Sequence, residues 1–152
     1  MPHILKDDLE GAAILDLLRE HKQHMFDTSP EDAMHTLDID RLRAPDITMW
    51  SAWDGDELLG CCALKEIDDS CGELKSMRTS TAHLGKGVAT ELLQHIIVAA
   101  QDRGYTHLYL ETGSSLAFTP AHTLYQKSGF RFRGPFANYR EDPVSRFMEL
   151  LL

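Results

Sequence analysis

Between a glycine turn at Gly85 and Gly87 and a single Gly104, the chain carries Val88, Leu92, Ile96 and Ala99, with Ala89, Leu93 and Ala100 beside them. That spacing lays an apolar stripe along one face of a helix from Gly87 to Arg103, and Gly104 is the residue such a helix favours just past its end. A helix with one apolar face must bury it. The flanking stretches say against what: "ELKSMRTS" before the turn and "THLYLET" after the helix both read as strands. Strand, glycine turn, helix and strand in that order build a sheet covered by helices.

The rest of the chain extends this pattern. Residues 8 to 26 place Ile14, Leu17, Leu18, His21 and Met25 on one face of an amphipathic helix. "DTSPEDAMHTL" restarts a helix, with Ser29 as its cap and Pro30 at its first position. "ITMWSAWDGDELLGCCALKEI" reads as a β-hairpin about Asp54-Gly55-Asp56, and "DDSCG" turns the chain into the next strand. "TPAHTLYQKSGF" is a short helix capped by Thr119, with Pro120 at its first position and Gly129 as terminator. "FRFRGPFANY" and "SRFMELLL" close the chain as two more strands. The later strands alternate with helices, which predicts an α/β or α+β sheet.

A chain of 152 residues, 43% of them hydrophobic, suits one well-cored domain over residues 1–152. No apolar run reaches the roughly 18 residues a bilayer span requires, and acids interrupt the N-terminal stretch where a signal peptide needs its apolar core. Cys61, Cys62 and Cys71 are odd in number and lack CxxC spacing, which fits a reducing cytoplasm. A formal charge of −9 argues against a nucleic-acid footprint, and neither a membrane nor a nucleic acid is expected as partner. An anion would have to be held locally, by backbone amides and a few placed cations.

The glycine turn is the place to look for one. A triphosphate loop needs GxxxxGK followed by Ser or Thr, but Ser80 stands at the first glycine position and Gly87 follows Lys86. A dinucleotide fingerprint GxGxxG would fall on Gly85, Gly87 and Thr90, so its third small residue is lost. What remains is a turn whose successive N–H groups can converge on one anion, with the positive end of the new helix behind them. A pyrophosphate suits such a nest; a tight turn into a helix would use the same glycines.

From Glu73 to Phe130 the chain resembles the GNAT superfamily of N-acetyltransferases. Leu84-Gly85-Lys86-Gly87-Val88-Ala89 falls on the acyl-CoA loop Q/R-x-x-G-x-G/A, and Ala121, Leu124-Tyr125 and Gly129-Phe130 match the downstream A-x-x-LY-x-x-x-GF pattern. The resemblance implies a central mixed, mostly antiparallel sheet of six or seven strands flanked by about four helices, with acyl-CoA where strands 4 and 5 splay apart. It implies acetyl-CoA as co-substrate, held by the loop from Leu84 through Thr90, by Met77 and Thr79 on the preceding strand, and near Phe118. Two positions depart from the pattern: Leu84 replaces the usual Arg or Gln, and Phe118 replaces an Asn that commonly precedes the tyrosine. "ETG" and the later "PF", "Y" and "DP" are similar to a bacterial branch some of whose members are proposed to act on indole-3-acetic acid.

Acetyl transfer from a thioester to an amine requires a base for the amine and an acid for the leaving thiolate. An alkylammonium with a pKa near ~10 must lose its proton first. Glu73 and Glu111 are the candidate bases, with Glu73 preferred; each could equally be a solvent-facing strand residue. Tyr125 is the candidate acid, since the resemblance brings it to the cofactor sulfur and a phenol stays protonated at neutral pH. Lys86 and Thr90 add a charge and a hydroxyl to the loop, or serve as ordinary helix-start residues.

Around the acceptor, the family layout implies His24, Asp27, Ser29, Glu31 and His35 between the first helices. Trp50, Trp53 and Tyr139 are candidates for an aromatic wall and Arg140 for meeting an acceptor carboxylate, but packing or a solvated loop is the favoured reading of each. His21 and His24 stand one helical turn apart without a third ligand, so no metal is expected. Cys61 and Cys62 lie in an apolar strand and read as core. The leading expectation is an acetyl-CoA-dependent N-acetyltransferase of a small-molecule amine. A protein or peptide N-acetyltransferase and a non-catalytic acyl-CoA-binding regulatory domain stay open beside it, as does assembly into a homodimer.

Overall fold

A computed structural model describes the backbone of residues 2–28 and 39–152 and the side chains of residues 2–21 and 40–152. The described elements are β1 (His3–Lys6), α1 (Ala12–Thr28), α2 (Ile39–Leu42), β2 (Ile47–Asp54), β3 (Glu57–Asp68), β4 (Cys71–Thr79), α3 (Val88–Asp102), β5 (His107–Gly113), α4 (Thr119–Lys127), β6 (Arg131–Arg133) and β7 (Ser145–Leu151). The strands form one seven-stranded sheet in the order β1-β2-β3-β4-β5-β7-β6. Every neighbouring pair is antiparallel except β4 with β5, the pair that α3 connects. A parallel neighbour needs a crossover of this length, so α3 is what allows the sheet to continue past β4.

Strand alternation sends the sheet's side chains into two cores. On one face Leu64, Leu74, Leu108, Leu110 and Met148 meet Leu92, Leu93, Ile96 and Ala100 of α3, with Tyr125 and Phe130 at the α4 end. On the other face Met49, Cys61 and Ala63 meet Ile14, Leu17 and Leu18 of α1 and Leu42 of α2. The apolar stripes predicted for the two long helices are therefore the ones buried. Met25, His24 and Asp27 have side chains outside the described residues, and Ser29, Pro30, Glu31 and His35 lie outside them altogether.

Three local expectations need correction. The first helix begins at Ala12 rather than residue 8, and a strand, β1, precedes it along the free edge of β2. Asp7 and Asp8 delay the helix: their carboxylates accept from the N–H of Leu9 (2.8 Å) and Glu10 (3.0 Å), and Leu9 adopts φ 63°. Thr119 is not the cap of α4. A 3-10 turn at Leu116–Phe118 leads into the helix, Phe118 occupies the cap position, and Thr119 is the first helical residue with Pro120 beside it. Finally, "FRFRGPFANY" is a strand only over Arg131–Arg133, because Gly134 and Pro135 end the ladder.

Both glycine terminators act as expected, and in the same way. After α3, Tyr105 N–H bonds Ala100 O (3.1 Å) and Gly104 N–H bonds Gln101 O (3.0 Å), with Gly104 at φ 81°. After α4, Phe130 N–H bonds Tyr125 O (3.0 Å) and Gly129 N–H bonds Gln126 O (3.1 Å), with Gly129 at φ 102°. Each is a Schellman motif, which satisfies the last carbonyls of the helix. In the second, the rings of Phe130 and Tyr125 meet at 5.7 Å, so the LY-x-x-x-GF pattern is the motif's bonds plus its apolar contact.

Candidate active site

The parallel ladder between β4 and β5 runs only from Cys71↔His107 to Leu74↔Leu110. Beyond Leu74, β4 keeps pairing with β3 as far as Thr79, and β5 keeps pairing with β7 as far as Gly113. The two strands thus separate, which leaves the β4 edge from Lys75 to Thr79 without a strand neighbour on that side among the described residues. Where they part, β4 bulges: its register against β3 shifts between Cys61 and Ala63, and Ser76 takes φ 58°. A bulge bends a strand locally and re-aims the side chains beyond it. Here Met77 packs toward the α3 core while Arg78 reaches Glu20 of α1 at 2.8 Å on the opposite face. The expected pair Met77 and Thr79 therefore stands on the open edge.

The strand leads into a 3-10 turn at Thr81–His83, then Leu84, Gly85, Lys86 and Gly87, then α3. Gly85 and Gly87 adopt φ 77° and 80°, and a Cβ at either would meet nothing within 4 Å. They are glycine for conformation, since an L side chain there is strained. The same open space leaves their backbone approachable. Gly87 is the helix cap, and Glu91 N–H returns to Gly87 O at 3.1 Å. The amides of Val88, Ala89 and Thr90 precede that bond, so helix geometry leaves them to an outside acceptor.

Leu84 is 63% exposed and braces nothing. The bracing side chain is its neighbour. His83 is buried, with Lys86 Nζ 3.1 Å from its Nδ1 and its Nε2 2.9 Å from Glu57 Oε1 on the β2–β3 hairpin. Nothing in the sequence pattern marked His83 or Glu57, whose meeting depends on the sheet bringing a hairpin tip beside the loop.

Glu73 and Glu111 lie on one sheet face, the α1 face, since Gly72 and Leu74 on either side of Glu73 and Leu110 and Thr112 on either side of Glu111 point the other way. Glu73 is 3% exposed and faces a cavity of about 840 Å³. Its Oε2 accepts from the Tyr139 hydroxyl at 2.7 Å and from Lys75 Nζ at 3.3 Å, and Lys75 also reaches the Tyr139 oxygen at 3.4 Å. Arg41, Asp46, Lys65 and Arg140 line the same cavity. Glu111 accepts from the Ser145 hydroxyl at 2.8 Å. It stands just past Leu110, the last β5 residue paired with β4, and so beside the opening.

Tyr139 joins the site from the loop between β6 and β7. It is held by aromatic neighbours: Phe136 meets it edge-on at 5.0 Å and Phe147 lies tilted at 5.4 Å, while Phe136 stacks on Tyr109 at 4.9 Å. Of the expected aromatic wall this is the member that faces the cavity. Trp50 is buried in the α3 core with its ring 5.7 Å from that of His95, and Trp53 donates to Ser51 at 2.8 Å. For Trp50 this is the packing role favoured from the sequence.

Tyr125 is buried on α4, behind the same opening on the α3 face. Burial, reinforced by Cys62, pushes its phenol well above the ordinary value of 10.0 and keeps it protonated. Phe118 is buried too, and Gly113 makes room for it: a Cβ there would collide with the edge of the Phe118 ring. The glycine of "ETG" therefore lets Phe118 seat on the end of β5. Cys61 and Cys62 are fully buried, as their strand predicted, and burial raises both thiols, Cys61 to about 12.

A mixed sheet whose central parallel pair parts beside a glycine-capped helix is the architecture of acyl-CoA-dependent acyltransferases. The solved GNAT family acetyltransferase from Elizabethkingia anophelis with acetyl-CoA bound superposes with a TM-score of 0.72 at 24% identity, over 99% of this chain and 98% of that one. Among proteins compared by sequence, the chain is 55% identical to the uncharacterized N-acetyltransferase YsnE of Bacillus subtilis, over 96% of this chain and 97% of YsnE. It is 36% identical to an IAA acetyltransferase of Azospirillum brasilense, over 90% and 89% of the two chains. The acetyltransferase (GNAT) family pattern matches residues 12–130. The chain belongs to the GNAT family and is an N-acetyltransferase.

Proposed function

We propose that this enzyme moves an acetyl group from acetyl-CoA directly to the amine of a small-molecule acceptor, with Glu73 as base and Tyr125 as acid. The observation that carries this reading is Glu73, a carboxylate 3% exposed on the wall of an 840 Å³ cavity at the point where β4 and β5 part. The diphosphate of acetyl-CoA rests on the amides from Gly87 to Thr90, where the helix end favours negative charge. The pantetheine arm runs along the open β4 edge and pairs with the backbone of Met77 and Thr79 as an added strand would. That leaves the thioester near the bulge, between the α1-face cavity and Tyr125. Lys86, tied to His83, shapes the loop first and adds charge second.

The acceptor enters the cavity as an ammonium. Glu73 takes one proton, directly or through a water, and the freed nitrogen lone pair attacks the thioester carbonyl carbon. The C–N bond forms, the nitrogen gives up its second surplus proton to water, the C–S bond breaks, and the thiolate takes a proton from Tyr125, which solvent restores. Each proton transfer is worth typically ~10²–10⁴-fold in rate. Glu111, paired with Ser145, shapes the entrance. The relative named for acetylation of IAA makes an aromatic acid or its amine-bearing relatives the first acceptors to try.

Two measurements test this. Calorimetry with acetyl-CoA should show one-to-one binding that survives Glu73→Gln. Thiol release with a panel of amines should then fall by ~10²–10⁴-fold in kcat for Glu73→Gln at constant KM for acetyl-CoA. If Glu111→Gln gives that loss and Glu73→Gln does not, the base is Glu111.

A further inference from the structure

We infer that Tyr139 is a positioning residue for Glu73: its hydroxyl fixes the carboxylate so that one oxygen is occupied and the other is presented to the acceptor. This rests on the reading of Glu73 as the base.

Glu73 leaves β4 with a side chain 4% exposed, so few waters can orient it. The protein supplies the donors instead. Tyr139 O–H at 2.7 Å and Lys75 Nζ at 3.3 Å both converge on Oε2. A carboxylate oxygen that accepts two bonds, one from a cation, is a strongly held group. Oε1 is then the atom left to accept a proton, and Glu73 lines the cavity beside Lys75 and Tyr139. A free carboxylate would exchange its two oxygens by a turn of its last torsion; two donors on one side prevent this.

The loop that carries Tyr139 is built for the task. Phe136 is 5% exposed, wedged between Tyr109 at 4.9 Å and Phe147 at 5.8 Å, and so ties the loop to β5 and β7. The chain then turns tightly, with Ala137 at φ 51° and Tyr139 N–H bonded to Phe136 O at 3.0 Å. That is a strained backbone for an alanine, of the kind retained where the surroundings dictate it. Its result is to set the Tyr139 ring at the margin of that cluster, 5.4 Å from Phe147, with its hydroxyl reaching Glu73 on β4, 66 residues away in sequence. Packing alone would be met by phenylalanine. The hydroxyl serves Glu73.

The experiment compares Tyr139→Phe, Lys75→Met, Glu73→Gln and the double variant Glu73→Gln/Tyr139→Phe. The probes are acetyl-CoA with tryptamine, tyramine and spermidine, and acetyl-CoA hydrolysis by water, all read as thiol release. Tyr139→Phe keeps the ring packing, so its melting temperature should match the parent within the error of the scan. Its kcat should fall roughly tenfold with KM for acetyl-CoA unchanged, and the double variant should be no slower than Glu73→Gln alone, because Tyr139 acts only through Glu73. Wild-type kcat in Tyr139→Phe, with Glu73→Gln impaired, overturns the positioning role and leaves the base standing. A double variant slower than Glu73→Gln by the full tenfold also overturns it. Unimpaired turnover in Glu73→Gln, or no turnover of any amine or of water by the parent, overturns the reading of the base and this inference with it.

Discussion

A methyl group at Gly113 would occupy the space of the Phe118 ring, so the last residue of β5 and the turn before α4 are coupled through one contact. Gly113→Ala should destabilise by about 1–3 kcal/mol, the usual penalty for overpacking, as read by denaturant unfolding. Phe118→Ala alone leaves a cavity and also destabilises, but the double variant should recover part of the loss, a coupling of ~1 kcal/mol or more in the cycle. Phe118 stands where the family pattern places an asparagine, and the sequence could not say what the exchange does. The structure gives it a packing role, with its ring against Gly113. Leu84 stands where the family pattern places Arg or Gln, and His83, one residue earlier, holds Lys86 and meets Glu57. His83→Ala should weaken acetyl-CoA binding in calorimetry several-fold while leaving kcat at saturating acetyl-CoA unchanged. Unaltered affinity would remove His83 from the loop's support.

Helix α3 shows at the element scale what a sequence reveals well. Its stripe, its entering glycines and its Schellman terminator depend on residues within a few positions of one another, and all three were legible. Gly87→Ala forces an L side chain to φ 80°, and should cost about 1–2 kcal/mol in stability. It should also weaken acetyl-CoA binding, because a relaxed turn moves the amides of Val88 and Ala89. By contrast β1 is four residues long and carries no periodicity that could announce it; it exists because the edge of β2 is there to pair with. The expected strand "FRFRGPFANY" stops at Arg133, because Pro135 cannot donate to a ladder and Phe136 is spent on the cluster with Tyr109 and Phe147. The candidate site divides along the same line. Glu73, Tyr125 and the loop are candidates that local pattern and the family resemblance supply, whereas the contacts of Tyr139 with Glu73 and of His83 with Glu57 join segments that only the sheet brings together.

For the molecule as a whole, two thiols buried at the sheet centre set an alkaline limit on stability. Burial, with Asp7 adding to it, raises Cys61 from 9.0 to about 12, and burial raises Cys62 in the same direction. Unfolding exposes both, so above pH ~9 the unfolded chain releases protons that the folded chain retains. Their contribution is complete below the ordinary thiol value and is lost as pH rises through the interval up to about 12. The slope should approach about −1.4 kcal/mol per pH unit for each thiol. Denaturant unfolding of Cys61→Ala should show the slope reduced by one such increment, over and above a pH-independent cost for the vacated volume. The parted strands have a consequence that reaches beyond chemistry. Amides along the β4 edge from Lys75 to Thr79 that point toward β5 have no ladder to shield them, although they sit in the middle of a seven-stranded sheet. Measured by deuterium uptake, they should exchange like the outermost strand of the protein until acetyl-CoA is added, and then slow to the rate of its interior. In effect the sheet has a third edge at its centre, and in the proposed binding mode the co-substrate is the strand that closes it.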